Sequence, residues 1–222
     1  MASPNTGSSE FWDGVYENKG EHVSWFQAKP QLSLDLITRS GIQKTDPILD
    51  VGSGTSTLVD WLLREGYRDI TILDISAAAL RLTRDRLEKS KYQADLQFEA
   101  ADITTFDFKA RSFSLWHDRA VFHFLSEPLD RALYVANLRK ALQPGGFLVI
   151  GTFAIDGVQQ CSGMDITHYD SQKMQAELGA SFQLIEEHTE IHLTPWHSEQ
   201  PFWYGLFRFL PTSDSSELPI QN

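Results

Sequence analysis

The stretch ILDVGSGTS, residues 48–56, decides the fold. Its first half is a short apolar run ending at Gly52, the mark of a buried strand. Next comes STLVDWLLREG (56–66), with apolar residues at helical spacing and a closing Gly66, which reads as a helix with its glycine cap. A tight strand-to-helix turn therefore falls on Gly52-Ser53-Gly54. Glycine suits it because the backbone there must approach a ligand with no Cβ in between.

The alternation continues outward from this turn. DITILDIS (69–76) reads as a strand and AAALRLTRDRLEKS (77–90) as an amphipathic helix. DLQFEAADI (95–103) and SFSLWHDR (112–119) are the third and fourth strands. DRALYVANLRKAL (130–142) is a helix stopped by Pro144-Gly145-Gly146, and GFLVIGTFA (146–154) is the fifth strand. DSQKMQAELG (170–179) is a helix, and QLIEEHTEIHLT (183–194) and QPFWYGLFRFL (200–210) are two long strands with a tight connection. Before the first strand, residues 10–40 read as helical cover. Strands alternating with helices imply parallel βαβ units with right-handed crossovers. The expected fold is α/β: a Rossmann-like three-layer sandwich whose seven-stranded, mostly parallel sheet ends in an antiparallel hairpin. One domain spans residues 10–211, with residues 10–45 as an N-terminal helical lid. Residues 1–9 and 212–222 are polar and expected to be disordered.

Composition narrows the partners. The chain has 222 residues, 41% hydrophobic and 22% charged, with a formal net charge of −11. An acidic surface repels nucleic-acid backbones and anionic lipid, so neither nucleic acid nor membrane is an expected partner. The single cysteine, Cys161, cannot form an internal disulfide, and no apolar run suggests a signal peptide or a membrane span. A cytoplasmic protein, monomer or homodimer, is the expectation.

The chemistry gathers at the carboxyl ends of the strands, where doubly wound sheets bind ligands. The helix that follows the glycine turn offers free N–H groups to an anion. Asp74 ends the second strand, placed to accept hydrogen bonds from ribose hydroxyls. Asp102, in Ala101-Asp102-Ile103, ends the third; its carboxylate suits an adenine amino group, and Ile103 suits the ring face. Together LDVGSGTS, LDIS, AADI and LQPGGFLVI resemble the class I S-adenosylmethionine-dependent methyltransferases, as a small bacterial-type member. The resemblance covers about residues 46–154 and implies S-adenosyl-L-methionine as cofactor. It assigns Asp50, Gly52, Gly54, Thr55, Ser56, Asp74, Ile75, Asp102 and Ile103 to holding it. Ser56 stands where the family often has a third glycine. Thr57, where a nicotinamide fingerprint would want glycine, argues against an oxidoreductase.

In the resembled family the segment after the fourth strand, Trp116-His117-Asp118-Arg119-Ala120-Val121-Phe122-His123, lines the cofactor and the methyl-transfer site. Trp116 and His117 are therefore assigned to the cofactor as well, and Trp25 closes over it. Removing a proton from the acceptor suits histidine, so His117, Asp118 and His123 are the candidate catalytic residues. Asp118–Arg119 can equally be a structural pair, and His123 can simply pack. Candidate acceptor contacts are Trp25, Phe26, Arg119, Cys161, His168, Trp196 and His197. Trp12, by contrast, reads as mere packing between helix and sheet. No metal is expected: His192, His197 and Glu199 form no compact ligand motif. The acceptor is expected to be a nitrogen, or sulfur or selenium, of a small molecule. The alternatives are a protein lysine methyltransferase and a cofactor-binding protein without activity.

Overall fold

The computed structural model describes residues 7–90, 92–157 and 160–211. The expected tail 212–222, and residues 1–6 of the expected N-terminal tail, lie outside these. Ser8 already caps a helix, α1 (Ser9–Lys19), its hydroxyl accepting from the Phe11 N–H. A second helix, α2 (Gln31–Ser40), precedes β1 (Ile48–Val51). Residues between them, read as part of a helical cover, form turns that drape across the sheet's carboxyl edge instead. The chain then alternates: α3 (Leu58–Arg64), β2 (Asp69–Asp74), α4 (Ala77–Leu87), β3 (Asp95–Ala100), β4 (Phe113–Arg119), α5 (Pro128–Ala141) and β5 (Leu142–Phe153).

A two-stranded hairpin follows, β6 (Gln160–Cys161) with β7 (Met164–Asp165), in a stretch to which the sequence pattern assigned no element. Then come α6 (Ser171–Leu178), capped by the Asp170 carboxylate on the Lys173 N–H, β8 (Phe182–Leu193) and β9 (Glu199–Phe209). The main sheet has seven strands in the order β3-β2-β1-β4-β5-β9-β8. The first five run parallel, and β9 is antiparallel to both of its neighbours. Strand order reverses at β1 and β4, which opens a crevice at their carboxyl ends.

Both faces of the sheet are covered, which is why β1 is buried at every position. Leu49 and Val51 pack one face with Tyr134, Leu138, Met174 and Leu178 of α5 and α6. Ile48, Ile70 and Ile72 pack the other with Leu34, Ile37, Leu62 and Leu80 of α2, α3 and α4. No helix among the described residues is long and apolar enough to cross a membrane.

The Pro144-Gly145-Gly146 turn behaves differently from its reading. The helix ends at Ala141, and Leu142 already begins β5. The register jumps from Phe113↔Leu142 to Leu115↔Phe147, so Gln143–Gly146 bulge opposite Ser114. Gly146 has no room for a side chain: a Cβ would stand 2.9 Å from the Ser114 carbonyl.

Candidate active site

The crevice begins at the glycine turn. Gly52 takes φ 59° and Gly54 φ 53°, a region that costs L-residues energy. Space is equally strict: a Cβ on Gly52 would lie 1.9 Å from Val121 Cγ2, and one on Gly54 2.3 Å from the Tyr16 phenol oxygen. The turn is fixed from behind. Arg86 of α4 donates to the carbonyls of Thr55 and Ser56 and pairs with Asp60. Thr83 donates to the Gly54 carbonyl at 2.8 Å.

Asp74 sits at the tip of β2, buried. Its two oxygens accept from the Gly54 N–H at 2.7 Å and the Ser76 N–H at 2.8 Å. Burial pushes its pKa up to about 6 against the pull of those N–H bonds. Each carboxylate oxygen keeps a second lone pair for a ligand hydroxyl.

A cavity of about 790 Å³ opens in front of Asp74. Its floor includes Val51, Gly52, Leu73, Ile75, Ala101, Asp102 and Ile103. Its roof is aromatic: Trp12, Tyr16 and Trp25 come from the N-terminal segment, Phe124 and Phe153 from the sheet side. Ring centroids are 5.8 Å apart for Trp12 and Trp25, and 5.4 Å for Trp12 and Phe124, both edge-on. Trp12 therefore faces the cavity, correcting its reading as packing alone. α1 is held down by Asp13, whose Oδ1 accepts from the Ser76 hydroxyl at 2.6 Å and the Ala78 N–H at 2.9 Å. Glu127 and Asp130 line the same cavity, as do Cys161 and Met164 from the β6–β7 hairpin. Burial pushes the Cys161 thiol up, which disfavours the reactive thiolate.

A second, far smaller chamber of about 30 Å³ adjoins the first. Thr55, Ser56, Phe26 and Asp50 line it, and Trp25, Val51, Gly52 and Arg119 border both spaces. His117 lies beneath it. Its Nδ1 meets Asp50 Oδ1 at 2.7 Å and its Nε2 meets Ser33 Oγ at 2.9 Å. The row Ser33–His117–Asp50 has the connectivity of a nucleophilic triad, but Ser33 is fully buried and faces neither space. With both ring nitrogens engaged, His117 orients Asp50 and is not placed to abstract an acceptor proton.

The other candidate catalytic residues are also corrected. Asp118 is fully buried and accepts from the Tyr134 hydroxyl at 2.6 Å and from the Val121 and Phe122 N–H groups. It shapes the turn after β4, where Ala120 takes a left-handed φ of 73°. His123 is sealed among Phe124, Phe153 and Phe202. Burial pushes its pKa down to about 3, so it is neutral, and it borders neither space. Trp116 is buried in the α5 side of the core, its Nε1 donating to the Tyr134 hydroxyl at 2.8 Å. Trp116 points there because β4 alternates faces and His117 takes the other one.

Of the acceptor candidates, Trp25, Phe26, Arg119 and Cys161 lie on the two spaces, whereas His168, Trp196 and His197 do not. The hairpin register, closing at Leu193↔Glu199, leaves Trp196 and His197 exposed at its tip. His192 is tied to the Ser24 carbonyl at 2.6 Å. Among the described residues no group of three His, Cys, Asp or Glu side chains gathers to hold a metal. Tyr16 of α1 also lines the cavity, its phenol lying over Gly54. Sequence reading missed Ser33, a polar residue on the apolar face of α2, and the carboxylates Glu127 and Asp130.

Known proteins can now be set beside this geometry. A family model described as a methyltransferase domain matches residues 48–146. An EEF1A lysine methyltransferase 2 of Danio rerio is 26% identical over 164 residues, 68% of this chain and 70% of the relative. A malonyl-acyl-carrier-protein O-methyltransferase of Paenibacillus sp. (strain JDR-2) is 33% identical over 128 residues, covering 55% of this chain and 45% of the relative. Among solved structures, the N-methyltransferase NodS of Bradyrhizobium japonicum WM9 with S-adenosyl-L-homocysteine superposes with a TM-score of 0.67. That match covers 89% of this chain and 98% of NodS at 17% identity, a likeness of fold.

Proposed function

We propose that the chain is a class I S-adenosylmethionine-dependent methyltransferase that transfers the methyl group to a nitrogen of a small, amine-bearing molecule. The observation that carries this reading is the roofed cavity. Its volume of about 790 Å³ falls in the range of small-molecule pockets, and it must hold cofactor and acceptor together. Such a space leaves room for a compact acceptor under Trp12, Trp25 and Phe124. Aromatic faces favour a cationic or methylated amine.

S-adenosylmethionine supplies an electrophilic methyl on a sulfonium. The chain's own residues are assigned as follows. Asp74 accepts from the ribose hydroxyls, Asp102 and Ile103 face the adenine, and Gly52 and Gly54 let the backbone come close. The aromatic roof keeps water out and orients the acceptor, which is worth several kcal/mol of barrier. An acceptor amine must shed a proton, and neither His117 nor His123 is free to take it. Glu127, Asp130 and the solvent beyond them form the proton's exit.

One observation favours a second reading. The zebrafish relative is named for methylating a lysine, also an amine. The two readings part over acceptor size. Incubating the protein with methyl-labelled S-adenosylmethionine and a heat-inactivated extract, split by mass, decides between them. Label is expected in the small-molecule fraction. Label confined to protein would replace that reading with lysine methylation, and label in neither fraction would count against both.

A further inference from the structure

The small chamber beside the main cavity is lined by polar atoms that the protein leaves unmatched. Asp50 Oδ2, Ser53 Oγ, Gln27 Oε1 and Arg119 Nη2 are all buried without a hydrogen-bond partner among the described residues, and all four residues line this chamber. Buried polar atoms without partners are costly, so such a cluster points to a polar ligand. The chamber pairs one anionic oxygen with one guanidinium nitrogen. That is the complement of an α-amino acid head, which carries an ammonium and a carboxylate. Its volume of about 30 Å³ suits two groups of water size.

Arg119 is held for this task. Its Nε donates to the Tyr204 hydroxyl at 2.8 Å and its Nη1 to the Trp25 carbonyl at 2.7 Å, leaving Nη2 over. Three neighbouring strands make the geometry. Arg119 pairs with Gly151, and Gly151 pairs with Tyr204. A Cβ on Gly151 would lie 2.6 Å from the Tyr204 ring, so only glycine lets the phenol lean across β5 to the guanidinium. Tyr204 is steadied in turn by Glu190 at 3.2 Å, which also accepts from Gln27 Nε2 at 3.1 Å.

Resting on the cofactor reading, we propose that Arg119 is a specificity-determining residue: its Nη2 takes the carboxylate of the cofactor's methionyl end and so selects the carboxylated cofactor over decarboxylated forms. Tyr204 is its positioning residue.

Calorimetry with three ligands tests this: S-adenosylhomocysteine, its decarboxylated form, and 5′-methylthioadenosine, which lacks the whole amino acid head. Arg119→Met keeps an unbranched apolar stem and removes the guanidinium, which lies 4.7 Å from the centre of the Phe202 ring. The variant is expected to bind S-adenosylhomocysteine about 10–100-fold more weakly, the scale of a charged hydrogen bond. Its affinity for the other two ligands should stay within about twofold, the scatter of small packing effects. Tyr204→Phe, the milder change, should show the same ligand split with a smaller loss. Equal losses on all three ligands would make Arg119 a merely structural residue, and no loss on any would remove it from the site; either overturns the proposal. Wild-type protein that binds none of the three would overturn the cofactor reading itself, and the proposal with it.

Discussion

His123 and Asp118 show how burial changes what a residue can do. Both sit in the stretch the sequence marked for catalysis, and both titrate in the folded chain far from their ordinary values. His123 has its pKa pushed down from 6.5 to about 3, so between those values the unfolded chain binds more protons. Its contribution to stability is therefore present above pH 6.5 and is lost as pH falls. Asp74 and Asp118 run the other way. Burial raises each from 3.8 to about 6, so across that window the folded chain holds the extra protons and their contribution falls as pH rises. His123→Leu removes the first effect alone. Urea midpoints at pH 7 and pH 5 should show the variant gaining on wild type at the acid end, by roughly 1–3 kcal/mol. An unchanged pH slope would mean that His123 is protonated in the fold. Asp118→Ala should cost about 3–5 kcal/mol, because it strands the Tyr134 hydroxyl and two backbone N–H groups. A loss below about 1 kcal/mol would contradict that account.

At the scale of elements, the parallel core was legible because its signals are local. Short apolar runs between helical patterns marked β1 to β5 within a few residues, and Ser76 and Asp170 cap the helices they precede. What was not legible depends on register. No local pattern tells that Gln143–Gly146 would bulge inside a strand, since the bulge exists only opposite Ser114. The β6–β7 hairpin is too short to leave a periodic trace. Likewise Trp116 and His117 are neighbours in sequence, and only the pleat decides which one faces the chamber. α1 is tied to the start of α4 by its Asp13 carboxylate, with an exposed Glu17–Arg81 pair at 3.6 Å beside it. Asp13→Ala removes that carboxylate, and should cost about 1–2 kcal/mol of docking. Amide exchange over residues 9–19 is expected to speed up while that of β1 and β4 stays slow. Equal exchange in variant and wild type would show that the aromatic contacts alone hold the helix.

For the whole molecule, the terminal hairpin is more than an edge. Glu190 of β8 reaches Tyr204 of β9, and through it Arg119 of β4, and it also meets Gln27 of the N-terminal segment. Distant parts of the chain thus converge on one small chamber, which no reading of separate motifs could assemble. Gly151→Ala tests this convergence at its tightest point. The added methyl should displace Tyr204 and weaken S-adenosylhomocysteine binding by about tenfold or more, the scale of one misplaced charged contact. Full affinity in that variant would show that Arg119 needs no help from the hairpin. The position of α1 carries a consequence of its own, in time. Ser8, Ser9, Trp12 and Tyr16 form one wall of the cavity, so lifting that wall would widen the way out for a spent cofactor. An isolated helix of this length is barely stable in water, so lifting it amounts to melting it. Where release limits turnover, the fraying of one helix sets its rate. Rapid mixing should reveal a fast first round of product followed by a slower steady rate, and Asp13→Ala should raise the slow rate and leave the first round untouched.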